Sequence, residues 1–184
     1  MAGAFETMRR PIRAELPLFE TGKEPPTELV KPGQGNIWQY IRRKVSPAQG
    51  DFVASNDLSL IRAFAVREDG YTSLALRSRR KRGAVGFLMI GCGSIGDADE
   101  PARVRDSCCI RRLMIDRRFQ GRGLGKAALA AALAYIRTFP CGRAERCWLT
   151  YEPENAAARA LYRSFGFRET GEMDGDEVIA VLPL

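Results

Sequence analysis

Three glycines spaced two residues apart join an apolar, strand-like segment directly to a segment of high helix propensity, and few folds accommodate such a junction. Residues 108–115 end in Leu-Met-Ile, and the loop Gln120-Gly121-Arg122-Gly123-Leu124-Gly125-Lys126 follows. Residues 127–137 are rich in Ala and Leu, and apolar residues recur at positions 124, 128, 131 and 135. This succession of strand, loop and helix predicts a mixed α/β chain.

The glycine loop has the character of an anion site. Its glycines let backbone N–H groups turn toward one point, and the following helix adds the positive end of its dipole. A dinucleotide fingerprint needs G-x-G-x-x-G, whereas the spacing here is G-x-G-x-G followed by Lys126. A P-loop needs a hydroxyl after Gly-Lys, but residue 127 is Ala, and Gln120 replaces its first glycine. We therefore expect a phosphate or pyrophosphate ligand but neither nucleotide-triphosphate hydrolysis nor dinucleotide redox chemistry.

The remaining periodicity predicts one α/β (α+β) domain, in keeping with a length of 184 residues. Residues 1–27 contain four prolines and no sustained hydrophobic period, so we expect an irregular N-terminal arm before a domain of residues 28–184. Strands are predicted at 28–31, 71–76, 84–90, 108–115, 147–151, 167–170 and 178–182. Helices are predicted at 37–45, after Asn56, at 127–137 and at 155–165.

The chain contains no histidine, which excludes Ser-His-Asp and Cys-His catalysis and His-ligated zinc. Proton transfer must then use Tyr, Glu, Asp, Lys, Cys or water. The five cysteines include no C-x-x-C pair and are odd in number, which disfavours a zinc ribbon or a complete disulfide framework. We expect no metal site, reduced thiols and a cytoplasmic location.

The net charge of +7 belongs to the folded body, because charges within residues 1–35 cancel. A positive field attracts polyanions such as a phosphorylated cofactor or nucleic acid. The basic run at 77–82 has no interleaved aromatic residue, so a solvated hairpin turn is favoured over nucleic-acid contact. Residues 1–30 lack the apolar run of a signal peptide, and no stretch is long enough to span a membrane.

A second constellation lies in the C-terminal half. Asn155 follows Pro153 and is a good helix N-cap. Tyr162 comes seven residues later, on nearly the same helix face and about 10 Å farther along the axis. Taken alone, this pattern is more typical of a capped helix over a buried tyrosine than of a catalytic site.

Together, these segments resemble one known family. The loop from Gln120 to Gly125 is similar to the Q/R-x-x-G-x-G/A pyrophosphate loop of the GNAT superfamily of acyl-CoA-dependent N-acyltransferases. Residues 29–184 resemble its diamine/spermidine/spermine N-acetyltransferase branch, through the segments QGDFVASNDLSL, VGFLM, RLMID, YEPEN and LYRSFGFRETGE. The FVASN and YEPEN parts are more particular to that branch than the glycine loop is.

The resemblance implies the GNAT fold: a mixed, mostly antiparallel central sheet flanked by helices, with acyl-CoA at a splay between the two central strands. It also implies acetyl-CoA as co-substrate and, since dimers are frequent in the superfamily, a homodimer. Tyr162 is implied as the acid that protonates the departing thiolate, and Glu152, acting through water, is the expected base. The implied cofactor-binding residues are Leu113, Met114, Ile115, Gln120, Gly121, Arg122, Gly123, Gly125, Lys126 and Asn155.

The acceptor amine stays open at this point. A polyamine or diamine is favoured, and a protein N-terminus or lysine, or an antibiotic amine, is the alternative. A non-catalytic acyl-CoA-binding or nucleic-acid-binding module and covalent catalysis by Cys108 or Cys109 are both less favoured. A chain of +7 is an unusual attractor for a polycation, but acids cluster near the expected site. These acids are Glu152, Glu154, Glu172, Asp174 and Glu177, of which only Glu152 is expected to face substrate.

Overall fold

The computed structural model describes residues 27–65, 71–78, 83–92, 106–140 and 142–184. Most of the predicted arm, most of the predicted basic turn and the greater part of the loop predicted after Ile90 lie outside these residues. The domain of residues 28–184 and its arm therefore stay predictions, although the first strand already begins at Thr27.

The described residues form twelve elements of secondary structure. The strands are β1 (Thr27–Val30), β2 (Tyr71–Ser78), β3 (Ala84–Cys92), β4 (Ser107–Ile115), β5 (Arg146–Tyr151), β6 (Arg168–Asp174) and β7 (Glu177–Pro183). The α-helices are α1 (Ile37–Ile41), α2 (Asn56–Ala65), α3 (Leu124–Ile136) and α4 (Ala156–Arg163), and a 3-10 helix spans Pro47–Phe52. The 3-10 helix was not predicted, and α1 is shorter than expected.

The seven strands form one sheet in the order β1-β2-β3-β4-β5-β7-β6. Among the described strands, only β4 and β5 pair in parallel. Their pairing ends at Ile110 and Leu149, yet β4 continues to Ile115 and β5 to Tyr151. The two central strands thus part at their carboxyl ends, which confirms the predicted splay in a mixed, mostly antiparallel sheet.

The main core lies between the sheet and α3. Ala128, Leu129, Ala131 and Ile136 on α3 are fully buried, and small alanines allow the helix to approach the strands closely. Because α3 starts directly after the glycine loop, burial of this helix also holds the loop at the carboxyl end of β4.

The apolar spacing in α2 correctly predicted a helix but did not predict which face is buried. Leu58 and Ile61 are 56% and 66% exposed, while Asn56, Ser59 and Ala63 are buried. The Asn56 amide donates to the carbonyl oxygen of Tyr40 at 2.8 Å, so it ties α2 to α1. A buried, hydrogen-bonded Asn therefore sets the orientation of the helix, against its apolar period.

The expectation of reduced thiols is wrong for two of the cysteines. Cys92 and Cys108 lie directly opposite each other on β3 and β4 and form a disulfide. Cys109 and Cys147 are buried and form no disulfide within the described part of the chain. The sequence could not reveal the pair because its two members meet only through strand register.

No helix in the described part of the chain is long and apolar enough to cross a membrane.

Candidate active site

A cavity of about 360 Å³ opens where β4 and β5 part. Its walls come from the end of β4, the end of β5, the first turns of α4, the glycine loop and the 3-10 helix. Of the residues predicted from the sequence, it brings together Leu113, Met114, Ile115, Gln120, Gly121, Gly123, Gly125, Asn155 and Tyr162. Arg122, Lys126 and Glu152 do not line it.

The glycine loop turns through backbone conformations that favour glycine. Gly121 and Gly123 have φ angles of 71° and 73°, and Gly123 is the N-cap of α3. Gly125 has ordinary helical geometry, and a Cβ there would lie 3.7 Å from Leu161 Cδ2, a normal contact. The N-terminus of α3 and its amides thus border the cavity, as an anion site requires.

The Gln120 side chain holds the glycine loop against the rest of the protein. Its amide nitrogen donates to the carbonyl oxygen of Ile115 at 2.9 Å and to Gln49 Oε1 at 2.9 Å. Gln49 belongs to the 3-10 helix and also accepts from the Ser46 hydroxyl. Both amide protons of Gln120 are used within the protein, which indicates that it positions the loop.

The end of β4 offers a strand edge to a ligand. Leu113, Met114 and Ile115 pair with β3 on one side, and no described strand pairs with them on the cavity side. Backbone groups on such an edge can hydrogen-bond an extended ligand as a further strand would. Arg122 and Lys126 are exposed on the loop beside this edge, where they add positive charge outside the cavity.

Asn155 caps α4, as its sequence context predicts. Its side-chain oxygen accepts from the Ala158 backbone N–H at 3.1 Å. The cap uses the oxygen and leaves the two amide protons of this cavity-lining side chain for a ligand.

Tyr162 lies on α4 and is 8% exposed. Its ring packs between Tyr151 and Phe167, with ring centroids 5.6 Å and 5.9 Å away. Burial, helped by the negative charge of Glu177, raises the pKa of Tyr162 to about 12. The hydroxyl therefore stays protonated at neutral pH and can donate a hydrogen bond into the cavity.

An ion-pair network holds α4 against the sheet. Arg159 on α4 donates to both carboxylate oxygens of Glu169 on β6, at 2.7 Å and 2.8 Å. The Tyr151 hydroxyl on β5 donates to the same carboxylate at 2.8 Å. These contacts, Arg159 above all, lower the pKa of Glu169 to about 2. The helix that carries Tyr162 is thereby tied to two strands.

Glu177 is a cavity residue that sequence reasoning did not select. It is the only carboxylate among the described residues that line the cavity, and the Thr150 hydroxyl donates to it. Glu152 lies outside, where partial desolvation and the charges of Glu177, Glu154 and Asp176 raise its pKa. The sequence placed both acids near the site, but only the pairing of β5 with β7 turns Glu177 inward.

Arg112 on β4 brings a positive charge into the same cavity. Its Nη1 donates to the Arg111 carbonyl oxygen at 2.8 Å, while its Nε is buried with no hydrogen-bond partner in the described part of the chain. Burial lowers the pKa of Arg112, and the negative charge of Glu177 opposes that shift. The lining of the cavity therefore includes one acidic side chain and at least one positively charged side chain.

Residues 39–167 match the model of the acetyltransferase (GNAT) family, which is most of the chain. The chain belongs to this family. The description of the family is that of an acetyltransferase.

Two curated relatives are more specific. The spermine/spermidine N(1)-acetyltransferase of Bacillus subtilis strain 168 is 35% identical over 98 residues, which is 52% of this chain and 60% of the relative. A probable spermine N(1)-acetyltransferase of Bacillus subtilis subsp. natto is 34% identical over the same share. The GNAT chain thus spans about 60% of the length of the curated relatives it matches.

Solved structures show the same fold. The PaiA N-acetyltransferase of Thermoplasma acidophilum in complex with coenzyme A superposes with a TM-score of 0.59 at 15% identity, covering 86% of this chain and 99% of that one. RimJ of Mycobacterium smegmatis in complex with CoA-disulfide gives a TM-score of 0.59 at 19% identity, covering 85% and 81%. At these identities, the likeness concerns the fold alone.

Proposed function

We propose that this GNAT enzyme moves an acetyl group from acetyl-CoA to a primary amine of a diamine or polyamine. The observation that carries the proposal is the cavity between the ends of β4 and β5, where a free strand edge, Asn155 and Tyr162 meet beside the glycine loop. The names of the Bacillus relatives support the polyamine part. The carboxylate of Glu177 supports it too, because a carboxylate in a cavity suits an ammonium group.

The residues present fit acetyl-CoA, which supplies the acetyl group as an activated thioester. The amides around Gly121 and Gly123 would bind the pyrophosphate, and Arg122 and Lys126 would add charge beside it. The free edge of residues 113–115 would pair with the amides of the pantetheine arm, and a backbone N–H there would polarise the thioester carbonyl. The Asn155 amide protons would serve the same arm.

Tyr162 is the proposed acid. Thiolate is a poor leaving group in a low-dielectric cavity unless a donor stabilises the developing charge. Tyr162 remains protonated because its pKa is raised to about 12, and it lines the cavity. Burial raises the pKa of a tyrosine and of a thiol alike, so a thiolate formed in the same cavity is also more basic and can take the proton of Tyr162.

A base is also required, because a protonated alkylamine has a pKa of about 10.4 and cannot attack. The base predicted from the sequence, Glu152, would act through water from outside the cavity. The raised pKa of Glu152 is in the direction that favours proton uptake.

A second candidate acceptor is an amine that also carries a carboxylate, as in an acidic peptide. The observation that favours it is Arg112, whose buried Nε has no partner in the described residues. A guanidinium in the acceptor cavity suits a carboxylate better than a second ammonium.

The test is mass-spectrometric detection of acetylated product after incubation with acetyl-CoA and putrescine, spermidine, spermine, or neutral and acidic lysine peptides. We expect acetylated polyamine, and a kcat lowered about 10²- to 10⁴-fold in Tyr162→Phe with CoA affinity unchanged. Tyr135→Phe, which changes an equally buried tyrosine that does not line the cavity, is the matched control. Product from acidic peptides alone selects the second candidate, and equal loss of CoA binding in Tyr162→Phe makes that tyrosine structural.

Two predictions from the sequence accompany this proposal. A homodimer remains a prediction, and so does a cytoplasmic location, which fits the use of acetyl-CoA. The disulfide between Cys92 and Cys108 argues against a reducing compartment, because disulfides are rare there. Cell fractionation tests the compartment, and thiol alkylation of the purified protein tests whether Cys92 and Cys108 are joined in a disulfide.

A further inference from the structure

We propose that Glu177, rather than Glu152, binds the acceptor ammonium in this enzyme and accepts its first proton. The inference rests on the proposed acetyl transfer to an amine and adds a residue to it. It follows from where the hairpin of β6 and β7 places Glu177.

The position of Glu177 is a consequence of strand pairing. β7 pairs with β5 so that Val178 faces Tyr151 and Ile179 faces Thr150. Side chains two residues apart share a face, so Glu177 and Ile179 point the same way, and Glu177 reaches the Thr150 hydroxyl diagonally across the strands. Glu152 follows the end of β5, and within the described residues no hydrogen bond holds its side chain.

Charged and titratable groups surround Glu177 on four sides, and one of them, Asp174, lies directly opposite it on β6. Arg112 on β4 supplies the positive charge, Tyr162 on α4 supplies a protonated hydroxyl, and Glu152 adds negative charge from just beyond β5. An ionised carboxylate that already accepts one hydrogen bond from Thr150 still has lone pairs to accept from an ammonium.

The proton balance closes with Glu177 and Tyr162. The ammonium gives one proton to Glu177, and the free amine then forms a bond to the thioester carbonyl carbon. Tyr162 gives its proton to the sulfur as the carbon–sulfur bond breaks, and the attacking nitrogen returns a proton to Tyr162 through water. Glu177 finally releases its proton to solvent. One ammonium and one thioester thus yield one amide, one thiol and one proton in solution.

The decisive test is the pH dependence of kcat/KM for Glu177→Gln, which keeps the shape of the side chain. We expect a loss of 100-fold or more at pH 7, within the ~10²- to 10⁴-fold range of general base catalysis. The rate of this variant should then rise about tenfold per pH unit toward pH 10, because it depends on amine already neutral in solution. Wild type should change little between pH 6 and about 9, and Glu177→Asp should recover part of the rate with the wild-type profile.

The control is Asp174→Asn, which makes the same change of charge directly opposite Glu177 on β6 but at an exposed position outside the cavity. It should leave the rate within about twofold at every pH. Glu152→Gln tests the rival base. A pH-dependent loss in Glu152→Gln with none in Glu177→Gln overturns the proposal, as does an equal loss in Glu177→Gln at all pH values.

A binding measurement separates this inference from the proposed function. Calorimetry of spermidine and of butylamine against the protein–CoA complex should show at least tenfold weaker binding in Glu177→Gln, with CoA affinity unchanged. Equal amine binding by wild type and Glu177→Gln overturns the role of Glu177 and leaves acetyl transfer standing. If wild type binds no amine in this complex and acetylates none when supplied with acetyl-CoA, both are overturned.

Discussion

Gly86 is the position where one added methyl group tests whether the geometry of β4 matters to the active site. It lies on β3 opposite Ile115, and a Cβ there would sit 2.3 Å from the Met114 carbonyl oxygen, where real contacts stay above 3.0 Å. The two strands must therefore separate by about 0.7 Å. The Ile115 and Leu76 side chains, each 3.1 Å from the added carbon, leave little room for that movement.

We expect Gly86→Ala to lower the free energy of unfolding by about 1–3 kcal/mol, the usual cost of overpacking a core. The displaced segment of β4 is the proposed cofactor edge, and a misplacement of about 1 Å can lower a rate about 10²-fold. We therefore expect kcat to fall between severalfold and about 100-fold while the protein remains folded. Urea unfolding followed by circular dichroism gives the first quantity, and formation of acetylated amine gives the second.

Gly125→Ala is the matched comparison. Its added carbon makes an ordinary 3.7 Å contact in the first turn of α3, so it should stabilise the helix by about 0.5–1 kcal/mol and leave CoA binding intact. If Gly86→Ala matches wild type in both stability and kcat, the close approach of β3 and β4 has no bearing on the site and the reasoning is refuted.

Two further predictions concern stability. Glu169 has a pKa of about 2 in the folded chain, below its usual value near 4.3, so its stabilisation is complete above about pH 5 and is lost as pH falls toward 2. Urea unfolding from pH 2 to 6 should show the difference between wild type and Glu169→Gln vanish at the acid end, and a constant difference contradicts the network. The disulfide of Cys92 and Cys108 predicts that three of the five thiols react in denatured, unreduced protein. Closing a loop of sequence separation 16 should contribute about 3 kcal/mol, lost on reduction, whereas titration of all five thiols contradicts the bond.

The glycine loop and the start of α4 could be predicted because their signals are local. Neighbouring residues determine the positive φ angles of Gly121 and Gly123. The cap by Asn155 likewise reaches an amide only three residues away. The mixed, mostly antiparallel sheet and its splay were predicted from resemblance to a family, since pairing between β4 and β5 joins residues far apart in sequence. Local patterns could not supply it.

The errors share the opposite cause. The buried face of α2 depends on Asn56 reaching the Tyr40 carbonyl oxygen, a contact across sixteen positions that overrides the apolar period. The disulfide joins residues that only the register of β3 and β4 places face to face. Hydropathy and spacing carry no information on such pairs. The expected buried face of α2 and the expected reduced thiols therefore followed general trends, which tertiary contacts overrode.

The charges in and around the cavity restrict the choice of acceptor amine more than the net charge of +7 does. Inside, Glu177 can neutralise one ammonium, and a second ammonium placed there would meet Arg112 in a region that water screens poorly. Outside, Glu152 and Glu154 make the adjoining surface negative, as the raised pKa of Glu152 reflects. A polyamine can use the acids inside and outside the cavity if it presents one terminal amine to Glu177 and leaves its other charges near Glu152 and Glu154. A compact diamine would instead bring its second charge toward Arg112. The overall positive charge of the chain is then no obstacle to a polycation. The acids close to the bound amine attract it, whereas salt screens the arginines on distant surfaces.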